Sequence, residues 1–320
     1  MFERLAQIEK TFARNLPLAT LFAAPTVKQL ARVLRDDGWR DGWSSLVMIQ
    51  GDGPLRPFFC VHAAGGNVLE YYDLAQLLGT DQPFYGLQAQ GLDGKQEPHT
   101  SIREMAAHYI QEMREVQAEG PYLIGGHSSG GTIAFEMACQ LMATGETVGL
   151  LALLDTYPAG YFKLRESSGG SRSARQRLKR SLKKLGAHGK NLQQLGSVEK
   201  LYYVLNKLKY APEKTKHKVY RGIFGLYQRI GQPLPAALKN IEELNFAAVR
   251  EYLPRVYPGS ATLFLANDLT ADYDVLEGWR ELVAGGIDTR TISGDHLNIL
   301  QEPHVSSLAE NLRSALKEAQ

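Results

Sequence analysis

Between residues 46 and 157, short apolar runs alternate with stretches of helical periodicity, and this rhythm restricts the chain more than any other feature. The runs are PFFCVH, PFYGLQ, PYLIGG and VGLLALLDT; helical patterns fall at about 68–78, 102–117 and 129–143. Strands that alternate with helices predict a mostly parallel sheet covered by helices on both faces. From about 158 to 244 the rhythm stops and helical, basic sequence replaces it. It then resumes with ATLFLAND, a helix near Trp279, IDTRTIS and a closing helix, HVSSLAENLRSALKEA. No internal repeat or low-complexity tract interrupts this plan.

Two further zones precede it. Residues 1–36 read as helical: in APTVKQLARVL, Thr26 and Gln29 stand three apart like a capping box, and Leu30, Val33 and Leu34 share one face. RDDGWRDGWSS, residues 35–45, reads as running into a linker at 37–45 rich in Gly, Asp and Ser. A chain of 320 residues holds one large core or two modest domains. Its net charge of +2 argues against a general polyanion partner such as nucleic acid. MFERLAQIEKTFARN lacks the apolar core of a signal peptide, and no run approaches the ~20 apolar residues of a membrane span. Cys60 and Cys139 have no framework spacing and are expected to be buried thiols, which suits a reducing cytoplasm.

The stretch PYLIGGHSSGG passes from an expected strand directly into an expected helix, and its turn, Gly126-His127-Ser128-Ser129-Gly130, matches G-x-S-x-G. Such a sharp turn holds its central serine in strained geometry, with Oγ exposed above the sheet. Side chains two positions either side would collide, which explains the glycines. Gly131 lets the helix pack closely on the sheet. The helix N-terminus favours negative charge developing at the serine. An activated serine needs a base and a group that orients the base. In TISGDHLNIL, His296 follows a strand-like run, where the chain order Ser, acid, His requires the base. Asp295 adjoins it, and adjacent residues seldom let a carboxylate reach the neighbouring Nδ1. Asp155, ending LLALLD, and Asp268, ending TLFLAND, both sit where a strand's carboxyl end aims at the site, and spacing does not choose between them. Oxyanion donors are expected at the backbone N–H groups of Ser129 and Ala64, the latter in the small-residue loop of FFCVHAAGGNV.

These residues resemble a known family. FFCVHAAGGNVLEYYDLAQLLG, PFYGLQAQGLDG, the segment from IREMAAHYI to GTIAFEMACQL, VGLLALLDTYP, NFAAVREYLPRVYPGSATLFLA and SGDHLNILQEPHVSSLAENL are similar to type I thioesterase domains. Those domains end nonribosomal peptide synthetases and some polyketide synthases. The resemblance covers roughly 46–157 and 244–315, and it implies an α/β-hydrolase fold for 46–320 with a helical lid at about 158–244. It implies an acyl chain taken from a carrier's phosphopantetheine thioester, with no bound cofactor and no metal. It places the nucleophile at Ser128, the base at His296 and, through the LLD[ST] segment, the acid at Asp155. Stand-alone editing thioesterases would put the acid one strand later, at Asp268. His127 stands where the family commonly has Tyr or His, and is expected to pack beside the turn. LAQIEKTFARNLPLATLFAAPTVKQLARVL resembles the last part of a carrier domain, so residues 1–36 are expected to be a partial carrier without its phosphopantetheine serine.

The implied partners are an acyl or peptidyl carrier domain and upstream synthetase modules, with no nucleic acid and no membrane. Two rival readings remain at this level. One is a lipase or carboxylesterase acting on free esters; the other is a catalytically silent module that only docks carriers. The expected lid is strongly basic: between Lys163 and Arg221 stand 17 Lys and Arg against three acids, Glu166, Glu199 and Glu213. A solvated helical face accounts for such a run, and so does a platform that attracts an acidic carrier.

Overall fold

In the computed structural model, which describes residues 11–12, 27–35, 43–51, 53–92, 96–158, 240–267 and 275–320, the apolar runs form one sheet. Its strands are β1 (Leu46–Gln50), β2 (Phe58–Val61), β3 (Phe84–Leu87), β4 (Tyr122–His127), β5 (Val148–Leu154), β6 (Ala261–Ala266) and β7 (Ile287–Ile292). They lie in the order β1-β3-β2-β4-β5-β6-β7, with β1 antiparallel to β3 and every other neighbouring pair parallel. The described helices are α1 (Val27–Arg35), α2 (Tyr72–Leu78), α3 (Ile102–Arg114), α4 (Ser129–Ala143), α5 (Ile241–Glu251), α6 (Val275–Arg280) and α7 (His304–Ala319).

Side chains alternate across a strand, so each central strand feeds two cores. Phe59 and Val61 of β2, Ile124 of β4 and Leu151 and Leu153 of β5 pack with α3, α4, α5 and α6. Phe58 and Cys60, Leu123, and Leu150, Ala152 and Leu154 pack on the other face with α2 and α7. Such double burial explains why these strands read as unbroken apolar runs. The chain leaves β2 for β3 on one side and leaves β4 for β5 on the other. The carboxyl ends of β2 and β4 therefore flank a crevice at the point where the strand order reverses, which is where α/β sheets bind ligands.

The structure departs from expectation at several boundaries. β1 is not among the apolar runs of the sequence. It is an edge strand with Val47 and Ile49 buried and Met48 exposed, too few residues for a clear alternation. The 68–78 stretch begins as a 3-10 turn, Leu69–Tyr71, before α2. α3 stops at Arg114, ahead of the expected Gln117. α4 and α7 match their expected limits. The expected linker is described only from residue 43, and its end is already stitched to α3. Ser44 donates its hydroxyl to Glu112 Oε2 at 2.6 Å, and buried Ser45 lies 3.0 Å from His108 Nε2. The described part of 1–36 includes α1, while Thr26 lies outside the described residues, as does 159–239 of the expected lid. Cys60 and Cys139 are both buried and free. No helix among the described residues is long and apolar enough to cross a membrane.

Candidate active site

The turn after β4 has its shape because it has almost no room. A Cβ on Gly126 would lie 2.4 Å from the Gly130 carbonyl carbon, and one on Gly130 would lie 2.3 Å from Val61 O. A Cβ on Gly131 would strike Thr156, just beyond β5. The glycines thus let α4 start against the ends of both flanking strands. Ser128 takes φ 56° and ψ −120°, a conformation L-residues avoid. Its N–H still donates to Leu154 O at 3.0 Å, so the strained residue remains tied to the sheet. Tyr71 adds a second tie: its hydroxyl donates to Val61 O at 2.6 Å and accepts from His127 N–H at 3.2 Å.

The structure brings Ser128, His296 and Asp155 together. Ser128 Oγ lies 3.0 Å from His296 Nε2, and His296 Nδ1 lies 2.5 Å from Asp155 Oδ2. A carboxylate only accepts, so the Nδ1 facing it carries the proton and Nε2 offers its lone pair to the serine hydroxyl. Asp155 is nearly buried and is the other described non-glycine residue with positive φ, at 42°. Its N–H donates to Phe264 O at 2.7 Å, and its Oδ1 accepts from Ala266 N–H at 2.9 Å. Burial by itself would raise this carboxyl. The hydrogen bonds from His296 and Ala266, with the neighbouring imidazoles, outweigh it and hold the group below its ordinary value. Asp295 serves its own turn: its Oδ1 accepts from Leu297 and Asn298 N–H, and its Oδ2 from Asn298 Nδ2. Asp268 lies outside the described residues.

The loop after β2 faces this group. Val61 and His62 carbonyls border the Gly130 Cα, so Ala63 and Ala64 follow the strand end that packs on the start of α4. Among the described residues, no hydrogen bond engages the N–H of Ala64 or of Ser129. Residues 56–316 match the family described as Thioesterase domain. The chain belongs to the thioesterase domain family. It is a hydrolase of the α/β-hydrolase type.

This thioesterase domain is 28% identical, over 98% of its length, to the dimodular nonribosomal peptide synthase of Bacillus subtilis (strain 168). It is 28% identical, over 95% of its length, to malpibaldin synthetase of Mortierella alpina. The chain spans only 12% and 5% of those two relatives. Among solved structures, the NocB thioesterase domain from the nocardicin cluster has a TM-score of 0.56 at 23% identity, covering 85% of this chain and 99% of that one. The four-domain nonribosomal peptide synthetase AB3403 has a TM-score of 0.59 at 22% identity, covering 97% of this chain and 23% of that one. At these identities the structural likeness concerns the fold.

His62, Glu70 and Asn245, which the sequence did not single out, join His127 in completing the surroundings of the candidate site. His62 is fully buried; its Nδ1 lies 2.6 Å from Ala63 O and its Nε2 lies 2.8 Å from Tyr109 Oη. Because a carbonyl only accepts, Nδ1 donates and Nε2 accepts the tyrosine proton. Burial lowers the His62 pKa to about 4, so the ring is neutral. His127 stacks beside His296, with ring centroids 5.1 Å apart, and neither of its ring nitrogens makes a hydrogen bond. The His296 backbone comes near it without hydrogen-bond geometry. Burial, reinforced by the His296 charge, lowers the His127 pKa to about 4. Glu70 accepts a long hydrogen bond, 3.4 Å, from Ala63 N–H. Asn245, on α5, donates Nδ2 to Ala64 O at 2.9 Å.

Proposed function

We propose that Ser128, His296 and Asp155 form a catalytic triad that releases an acyl, peptidyl or polyketide chain from the phosphopantetheine thioester of a carrier domain. The observation that carries this reading is the hydrogen-bonded line from Ser128 Oγ through His296 to Asp155, standing on a strained turn at the carboxyl ends of parallel strands. Ser128 Oγ attacks the thioester carbonyl as its proton passes to His296 Nε2. Asp155 holds the imidazole orientation and stabilises the imidazolium. The tetrahedral oxygen is received by the N–H groups of Ala64 and Ser129, each worth on the order of 3 kcal/mol to the transition state. The C–S bond then breaks, and the departing thiolate takes the proton from His296. Water, or a nucleophile within the chain itself, loses a proton to His296 and attacks the acyl-serine carbonyl. The ester bond to Ser128 breaks and its oxygen recovers the proton. The reading calls for no bound cofactor or metal.

The carrier partner is supported by a relative this chain resembles over nearly its full length, a dimodular nonribosomal peptide synthase. That alignment extends beyond 56–316, which agrees with residues 1–36 as the later part of a carrier and 46–320 as the thioesterase domain. Three variants test the mechanism. Ser128→Ala should abolish labelling by a fluorophosphonate and leave only ~10³- to 10⁴-fold acceleration over water. Asp155→Asn should lower kcat by about 10⁴-fold through the wrong imidazole tautomer, whereas Asp268→Asn should change it little. Undiminished turnover in Ser128→Ala removes the serine mechanism. A reversed pattern between the two aspartates moves the acid to the later strand.

A further inference from the structure

We infer that α5 braces the loop that presents the oxyanion donor, with Asn245 as its positioning residue; the inference rests on the role given above to Ala64 N–H. Ala64 N–H shares its peptide plane with the Ala63 carbonyl, and the next plane, which carries the Ala64 carbonyl, fixes where the Ala64 Cα sits. On one side of Ala64, the Ala63 carbonyl accepts from Gly66 N–H at 2.9 Å and from His62 Nδ1 at 2.6 Å. On the other side, the Ala64 carbonyl accepts from Asn245 Nδ2 at 2.9 Å. The first plane is held against rotation and the second is anchored to α5, so the Ala64 N–H keeps both its direction and its position. Local residues hold the first plane. The second is held from 181 positions along the chain, by a side chain only 2% exposed.

The rest of α5 fits this task. Its first turn is secured by Asn240, whose Oδ1 accepts from the N–H groups of Glu242 and Glu243. Ile241, one helical turn before Asn245 and on the same face, packs on the loop. A Cβ on Gly66 would lie 2.6 Å from Ile241 Cγ2, and Gly66 itself has φ +82°. Just past the helix, Tyr252 donates its hydroxyl to Glu136 Oε2 on α4 at 2.6 Å. α4 begins at Ser129, the source of the second donor. One helix is thus fastened to both elements that hold the oxyanion.

The test uses the full chain, comparing wild type with Asn245→Leu, which removes the donor at similar volume, and Asn245→Ala as a second variant. Four quantities are read: kcat and KM for an N-acetylcysteamine thioester, affinity for an alkyl boronic acid that forms a tetrahedral adduct on Ser128, affinity for the matching unreactive thioether, and hydrogen exchange at residues 63–66. The expected result is a fall in kcat on the order of 10- to 100-fold with KM nearly unchanged, because a small misplacement of a donor costs that much. Boronate affinity should fall in proportion, thioether affinity should hold, and exchange at 63–66 should quicken while that of β4 stays slow. Wild-type kcat and exchange in either folded variant overturn the inference. It is also overturned if kcat, thioether affinity and Tm decline together, as they do in a Val249→Ala control chosen for equal loss of stability. A wild type that neither turns over the thioester nor takes a fluorophosphonate on Ser128 defeats the triad reading instead. The exchange measurement still decides whether Asn245 holds the loop.

Discussion

His127 shows how one buried residue sets a pH limit on the domain. Its ring has no hydrogen-bond partner, and together with His62 it remains neutral down to a pKa of about 4, against an ordinary value of 6.5. Below pH 6.5 the unfolded chain binds protons that the folded chain refuses. Each histidine should therefore take roughly 3 kcal/mol from stability as pH drops from about 6.5 to about 4, while Glu70, which burial raises to about 7, offsets part of this loss by binding its proton more readily in the folded chain. Asp155 acts in a lower window: its depressed pKa contributes above the ordinary carboxyl value and is lost as pH falls through the folded one. Replacing His127 by Tyr, which does not titrate there, should remove the His127 share, about 3 kcal/mol, of the stability lost between pH 6.5 and 4. Urea denaturation at a series of pH values measures it, and an unchanged slope in the variant would contradict the assignment. Residues whose signal is local were legible in advance: the glycines around Ser128, and His296 in its turn. Between Asp155 and Asp268 the spacing was silent, because each ends an apolar run of the sequence. Asn245 left no trace, since its partner is a backbone carbonyl far away in sequence.

The elements that could be read from the sequence are those buried on one stripe or on both faces over enough length. α4 and α7 are long and closely bounded, and the central strands are unbroken apolar runs. β1 escaped because an antiparallel edge strand of five residues shows only two buried positions. The contact between α5 and α4 escaped for a different reason: it is polar. Glu136 is 1% exposed and accepts the Tyr252 hydroxyl and Gln140 Nε2, with Arg255 at 3.5 Å. A buried carboxylate losing one of these donors is left under-satisfied, so Tyr252→Phe should cost about 1–3 kcal/mol of stability. Denaturant midpoints at constant m-value report it. No change would mean that packing alone joins the two helices.

For the molecule as a whole, the basic stretch from Lys163 to Arg221 is the largest asymmetry of charge in the sequence. It lies outside the described residues, and its reading stays electrostatic. If it attracts an acidic carrier bearing a phosphopantetheine phosphate, kcat/KM for carrier-bound substrate should fall steeply with salt, as screening shortens to about 8 Å at physiological strength. A small neutral thioester should be nearly indifferent. Reversing Arg175, Arg177, Lys179 and Arg180 to Glu should depress only the carrier reaction. Equal salt sensitivity for both substrates leaves a solvated face. A different whole-molecule consequence follows from the two positive φ angles. Ser128 and Asp155 are the described non-glycine residues held in that region, so glycine would sit more comfortably at both. A screen for heat resistance alone would favour glycine at Ser128, whereas at Asp155 the lost bonds to Ala266 and His296 oppose it, and it would return a domain without its proposed nucleophile. Any campaign to harden this scaffold has to select for turnover in the same round.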